Sequence, residues 1–221
     1  MKRFRDRIEA GRRLAAALSS YAGRDAVVLA LPRGGVPVGA EIATALHAPL
    51  DLVLVRKIGL PAQPELAMGA VVDGAEPIVV RNADILAFDR VDEATFQSVC
   101  QRELKEIERR RALYIGARRR APISGRVVIV VDDGIATGAT VKAALQAIRA
   151  RGPQELVLAV PVAPPQTLAE LRPQVDAIIC PLTPEVFEAI GCFYDDFSQV
   201  SDAEVETALA RCPVPEADQR A

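Results

Sequence analysis

Val127, Val128, Ile129, Val130 and Val131 form an unbroken run of β-branched apolar residues after Gly125 and Arg126, and no other stretch limits the fold of this chain as sharply. A run with no polar alternation reads as a strand covered on both faces, the form taken in a parallel sheet flanked by helices. Two acids, Asp132 and Asp133, end the run. Gly134, Ile135, Ala136, Thr137, Gly138, Ala139 and Thr140 follow, and Val141, Ala144, Leu145 and Ile148 then fall at helical spacing. The order is strand, acidic pair, small-residue turn, helix.

Other apolar runs, at residues 26–31, 50–55, 156–162 and 177–182, alternate with helical patterns at 5–18, 38–46 and 166–171. Strands alternating with helices predict an α/β fold, an open, mainly parallel twisted sheet with helices on both faces. Residues 70–73 and 77–81 predict a hairpin at the sheet edge. A long polar helix over 92–114 follows, buried along Phe96, Cys100, Leu104, Ile107 and Tyr114, and completes a small hairpin and helical insertion. Ser201 with Glu204 marks a capped helix toward Leu209. The 221 residues, half of them hydrophobic, suit one domain over 1–212, with a disordered tail at 213–221.

Composition removes several classes of function. The net charge of −2 gives no global attraction to nucleic acid. No apolar run approaches the roughly 20 residues that span a bilayer, and the basic start lacks a signal-peptide core, so a cytoplasmic protein is expected. Cys100, Cys180, Cys192 and Cys212 lack metal-ligand spacing and read as reduced thiols. His47, the single histidine, reads as structural and leaves no multi-histidine site. Neither G-x-x-x-x-G-K-[ST] nor G-x-G-x-x-G after a strand is present, which argues against an ordinary nucleotide-binding protein.

The turn at 136–140 can point backbone N–H groups at an anion, aided by the helix dipole. Asp132 and Asp133 would repel a phosphate that they faced, so they suit neutral hydroxyls or a divalent cation. Together these features point to a sugar phosphate. Arg33, Gly34 and Gly35 again join a strand end to a helix start, where glycines admit a close ligand and the guanidinium can pair with phosphate. Arg56 and Lys57 end a third strand, before Gly59, Pro61 and Pro64, as on a mobile, positively charged lid. The three loops should converge at a switch point of the sheet.

Residues 128–140 resemble the signature of the type I phosphoribosyltransferases. The resemblance implies that Ala136, Thr137, Gly138, Ala139 and Thr140 hold the 5-phosphate of phosphoribosyl pyrophosphate and that Asp132 and Asp133 hold its ribose hydroxyls. Residues 31–39 are similar to the pyrophosphate loop of xanthine-guanine enzymes, and Arg56, Lys57, Gly59, Leu60 and Pro61 to the flexible catalytic loop of adenine enzymes. Gly134 departs from the family pattern, and its expected effect is a looser turn. Ala136 replaces the Asp that serves as base in hypoxanthine-guanine enzymes, which leaves Glu65 in the lid as a substitute.

The activity implied is transfer of the 5-phosphoribosyl group to a nitrogenous, nucleobase-like acceptor with release of pyrophosphate. Mg²⁺ is the expected cofactor, held mostly through substrate, with Asp132 and Asp133 as its protein ligands. Phe193 or Tyr194 would stack on the acceptor. Expected partners are phosphoribosyl pyrophosphate and a small-molecule acceptor, in a homodimer without nucleic acid or membrane. The rival is a regulator that senses phosphoribosyl pyrophosphate without turnover and grips RNA through the arginines at 109–111 and 118–120.

Overall fold

The computed structural model describes residues 3–213 except 65, 75, 76, 90 and 117. Its main sheet has five parallel strands, β1 (Ala26–Ala30), β2 (Leu50–Leu52), β6 (Val127–Val131), β7 (Glu155–Ala159) and β8 (Ala177–Ile179), in the order β2-β1-β6-β7-β8. Every residue of β1 and of β6 is buried, as the continuous apolar runs require. Alternate residues of β6 serve opposite faces of the sheet. Val127, Ile129 and Val131 join a core with α1 (Arg7–Ala17), α2 (Gly35–Leu46) and α7 (Asp202–Arg211). Val128 and Val130 join one with α5 (Ala139–Arg149) and α6 (Pro165–Leu171).

From β1 the chain goes outward to β2, and it returns on the other side of β1 as β6. The loops after β1 and β6 therefore leave the sheet on opposite sides, the kind of switch point at which open α/β sheets bind ligands.

The insertion differs from the expected edge hairpin. It is a separate antiparallel sheet, β3 (Val55–Gly59), β4 (Ala67–Val72) and β5 (Ile78–Arg81), followed by α3 (Ala83–Phe88) and α4 (Glu93–Tyr114). Arg56 and Lys57 thus lie inside β3, opposite Val71 and Ala70 of β4, rather than on a free loop. Charged residues occupy this strand because Arg56 gains a buried acid from α4 while Lys57 stays exposed. A short helix at 83–88, capped by Asn82, was not anticipated. The capping box of Ser201 and Glu204 is present as expected. Only Pro213 of the expected tail falls among the described residues. No helix among them is long and apolar enough to cross a membrane.

Candidate functional site

The turn after β1 presses directly against the end of β6. A Cβ on Gly34 would lie 2.0 Å from Asp133 Oδ2, and one on Gly35 would lie 2.7 Å from the Val131 carbonyl oxygen. The two glycines are therefore needed for loop-to-loop contact, since Gly34 itself has ordinary helical angles. The Pro32–Arg33 peptide is cis. Arg33 projects from this turn and places Nη1 3.6 Å from Asp202 Oδ1, which also accepts the Tyr114 hydroxyl at 2.5 Å.

The two acids are not equivalent. Asp133 is 8% exposed, and its Oδ2 accepts from Arg7 Nε at 2.8 Å. Arg7 in turn donates from Nη1 to the Ser198 carbonyl at 2.8 Å and lies 3.9 Å over the Phe197 ring. Asp132 is half-buried, accepts the Asp133 backbone N–H at 2.9 Å, and lines a cavity of about 230 Å³. Leu31, Pro32, Leu54, Arg56, Arg110 and Thr140 also line it. Burial raises both carboxyl pKa values, and the negative charge of Asp133 pushes Asp132 up further. Arg7 acts against the rise at Asp133. The acids expected to hold the ribose hydroxyls are placed differently: Asp132 borders the cavity, while Asp133 is tied to the first helix.

Beyond the acids, Ala136, Thr137, Ala139 and Thr140 are exposed, and Gly138 takes a φ of 73° where the chain turns into α5. Gly138 caps α5 without a side-chain hydrogen bond, so the first N–H groups of the helix have no side-chain cap, the condition an anion site needs. From below, the Thr167 hydroxyl donates to the Ala136 carbonyl at 2.8 Å and steadies the turn. Gly134 does not loosen it. A Cβ there would approach Ile190 Cγ2 to 2.6 Å, so the turn is closely packed at this point.

Arg56 Nε and Nη2 each lie 2.9 Å from Glu103 Oε2, an acid of α4 that is 7% exposed. Lys57, the next residue, faces away from Arg56 as strand alternation requires. It lines a second cavity, of about 460 Å³, between the small sheet and α5, together with Gly69, Ala70, Thr140 and Lys142. Glu65 lies outside the described residues.

Phe193 and Tyr194 are corrected as well. They are 2% and 3% exposed, Phe193 stacks on Phe187, and the Tyr194 hydroxyl donates to the Asp133 carbonyl at 2.7 Å. Both rings are core, with no face open to a base. Of the arginine clusters, Arg118 turns inward to the carbonyls of Leu209, Leu50 and Pro213, and Arg120 pairs with Asp73 at 2.5 Å. These two side chains support the fold, whereas Arg109 and Arg119 are exposed.

Sequence reasoning missed Arg7 and Arg110. Arg7 is one of several arginines on a helix face that reads as solvated, and its partner is 126 residues away. Arg110 sits within a charge run whose orientation only the packing of α4 determines.

The model of the phosphoribosyl transferase domain matches residues 2–196. Two curated proteins of Mycobacterium tuberculosis, from strains CDC 1551 and H37Rv, carry the provisional name phosphoribosyl transferase and are 46% identical over 211 residues. The match takes in 96% of this chain and 47% of each relative, so the chain spans about half the length of the curated relatives it matches. The crystal structure of TT1426 from Thermus thermophilus superposes with a TM-score of 0.82 at 41% identity, covering 94% of this chain and 97% of that one. The AQ2163 protein of Aquifex aeolicus, at 11% identity and a TM-score of 0.50, covers 84% of this chain and 78% of its own, and shares the fold.

Proposed function

This chain belongs to the phosphoribosyl transferase family, and from that premise we propose that it moves the 5-phosphoribosyl group of phosphoribosyl pyrophosphate to a nitrogenous, nucleobase-like acceptor. The observation that supports this reading best is the cavity of about 230 Å³ at the carboxyl ends of β1 and β6. Pro32, Arg56, Asp132 and Thr140 line it together, so the start of the Arg33 turn, a guanidinium, a carboxylate and the first turn of α5 share one small space. That combination suits a sugar with phosphate at one end and pyrophosphate at the other.

The reaction breaks the bond from the anomeric carbon to a pyrophosphate oxygen, through a state with oxocarbenium character. The electron pair leaves with pyrophosphate, the acceptor nitrogen bonds to the carbon in its place, and the proton that this nitrogen sheds passes to the departing pyrophosphate or to water. Charge therefore grows on the leaving group, which in this reading Arg33 and Arg56 meet. Removal of one such preorganised donor typically costs about 3 kcal/mol at the transition state. Asp132, with its raised pKa, suits a neutral hydroxyl or a cation that accompanies the substrate.

Mg²⁺ fits these residues on condition that substrate oxygens provide most of its ligands, because this ion commonly takes only one or two carboxylates beside phosphates. Asp132 at the cavity wall meets that need, and among the described residues no group of three His, Cys, Asp or Glu side chains could hold a metal by itself. Bound there, Mg²⁺ would neutralise charge on the pyrophosphate.

The test is incubation with Mg²⁺, phosphoribosyl pyrophosphate and a panel of nucleobases, with pyrophosphate release as the readout. Release that depends on one base is expected, and Asp132→Asn should abolish it. A protein that neither releases pyrophosphate with any base nor binds phosphoribosyl pyrophosphate by calorimetry would sink the reading. Binding without release would favour a sensor.

A further inference from the structure

α4 reaches that cavity through a single stripe. Glu103, Glu106 and Arg110 lie three and four residues apart and so share one side of the helix. Glu103 fixes Arg56, as described above. One turn on, Glu106 Oε1 accepts from Arg110 Nε at 2.8 Å, and its paired arginines pull the Glu106 pKa down to about 2. Arg110 then borders the 230 Å³ cavity beside Pro32, Arg56, Asp132 and Thr140. Two guanidiniums and one carboxylate thus line a small space, while Glu103 and Glu106 do not line it.

Arg56 uses Nε and Nη2 on Glu103 and Arg110 uses Nε on Glu106, and each guanidinium still borders the cavity beside those pairings. The guanidinium fork also matches the oxygens of a phosphate group geometrically. We propose that α4 contributes Arg110 as a further ligand of the substrate, gripping the pyrophosphate portion together with Arg56. The inference rests on the phosphoribosyl transferase reading above and extends it to a helix that lies outside the three strand-end loops.

The helix carries its own control. Arg109 donates from Nε and Nη2 to the same Glu106, at 2.8 and 3.0 Å, but its side chain is 62% exposed and does not line the cavity. Because Arg109 keeps Glu106 paired, removal of Arg110 should leave α4 intact.

Calorimetric titration of the wild type, Arg110→Ala, Arg110→Lys and Arg109→Ala with Mg²⁺-pyrophosphate and, separately, with ribose 5-phosphate tests this. Loss of a charge-assisted contact predicts that Arg110→Ala weakens pyrophosphate about tenfold or more. Arg110→Lys should recover only part of that, since an ammonium lacks the fork. Arg109→Ala should stay within about twofold, and ribose 5-phosphate should bind all four proteins alike. If Arg110→Ala matches Arg109→Ala at an unchanged melting temperature, the inference is overturned and the functional reading stands. Equal weakening of both probes by Arg110→Ala would show general support of the fold and would likewise overturn it. A wild type that binds neither pyrophosphate nor phosphoribosyl pyrophosphate removes the functional reading, and the inference with it.

Discussion

Arg7 Nε lies 2.8 Å from Asp133 Oδ2, with both side chains only 12% exposed, and this contact joins the first helix to the end of the central strand. A buried charge that loses its partner is costly, by about 3–5 kcal/mol. Arg7→Ala should therefore lower the unfolding free energy by about 3 kcal/mol, toward the low end because water reaches one side of the pair. Urea denaturation measures it. Adding Asp133→Asn to Arg7→Ala should restore part of the loss, because the orphaned charge is gone; strictly additive losses would contradict the pairing.

The same two acids make stability depend on pH. Burial raises Asp132 well above the ordinary carboxylate value of 3.8, and raises Asp133 as well. The folded state therefore binds protons more tightly than the unfolded chain. Their contribution to stability is fully present below the unfolded value and is lost as pH rises through the raised folded values. Asp132→Asn removes the larger part of this penalty. At neutral pH the variant should melt higher than its parent, and the gap should close as pH falls through the raised folded value toward 3.8. A gap independent of pH would show that the carboxyl is not destabilised by burial. More stability with less ligand binding is the usual signature of a strained binding group.

Gly34 and Gly35 should respond differently to alanine. At Gly34 the new methyl group meets the Asp133 carboxylate, a side chain that Arg7 holds in place. At Gly35 it meets backbone, the Val131 carbonyl oxygen at 2.7 Å and Asp132 Cα at 2.9 Å, which cannot rotate away. Overpacking of this kind costs about 1–3 kcal/mol, and Gly35→Ala should sit at the upper end. Gly34→Ala should lose less stability, but it should displace Asp133 and weaken phosphoribosyl pyrophosphate binding. Thermal melts beside ligand titrations separate the two, and identical profiles would refute the distinction.

What could be read from the chain was local and periodic. The buried run of β6, the turn into α5 and the box of Ser201 and Glu204 are each written within a few residues, so pattern alone located them. What could not be read depends on partners far away in sequence. Arg56 and Lys57 look like a loop because Gly59, Pro61 and Pro64 follow, yet pairing with β4 makes them strand. Arg118 and Arg120 look solvated because their acceptors, Asp73 and backbone carbonyls at 50 and 209, come together only in the fold. Phe193 and Tyr194 could have served as either core or stacking surface. Packing of the 187–197 segment against Phe4 makes them core.

Strand alternation also separates the duties of Arg56 and Lys57. Arg56 borders the cavity that Asp132 shares, whereas Lys57 opens into the cavity on the α5 side, and Thr140 touches both. On the proposed function Arg56 meets bound substrate, so Arg56→Ala should weaken phosphoribosyl pyrophosphate binding and also lower kcat, with kcat/KM falling about 100-fold. Lys57 does not line that cavity, and in the proposed role it meets the pyrophosphate only as the reaction proceeds. Lys57→Ala should then lower kcat far more than it weakens ground-state binding. Steady-state kinetics beside calorimetric affinity for phosphoribosyl pyrophosphate decide between the two. An equal loss of turnover and affinity in Lys57→Ala would end its assignment to the transition state, and it would make Lys57 a ground-state ligand of the second cavity.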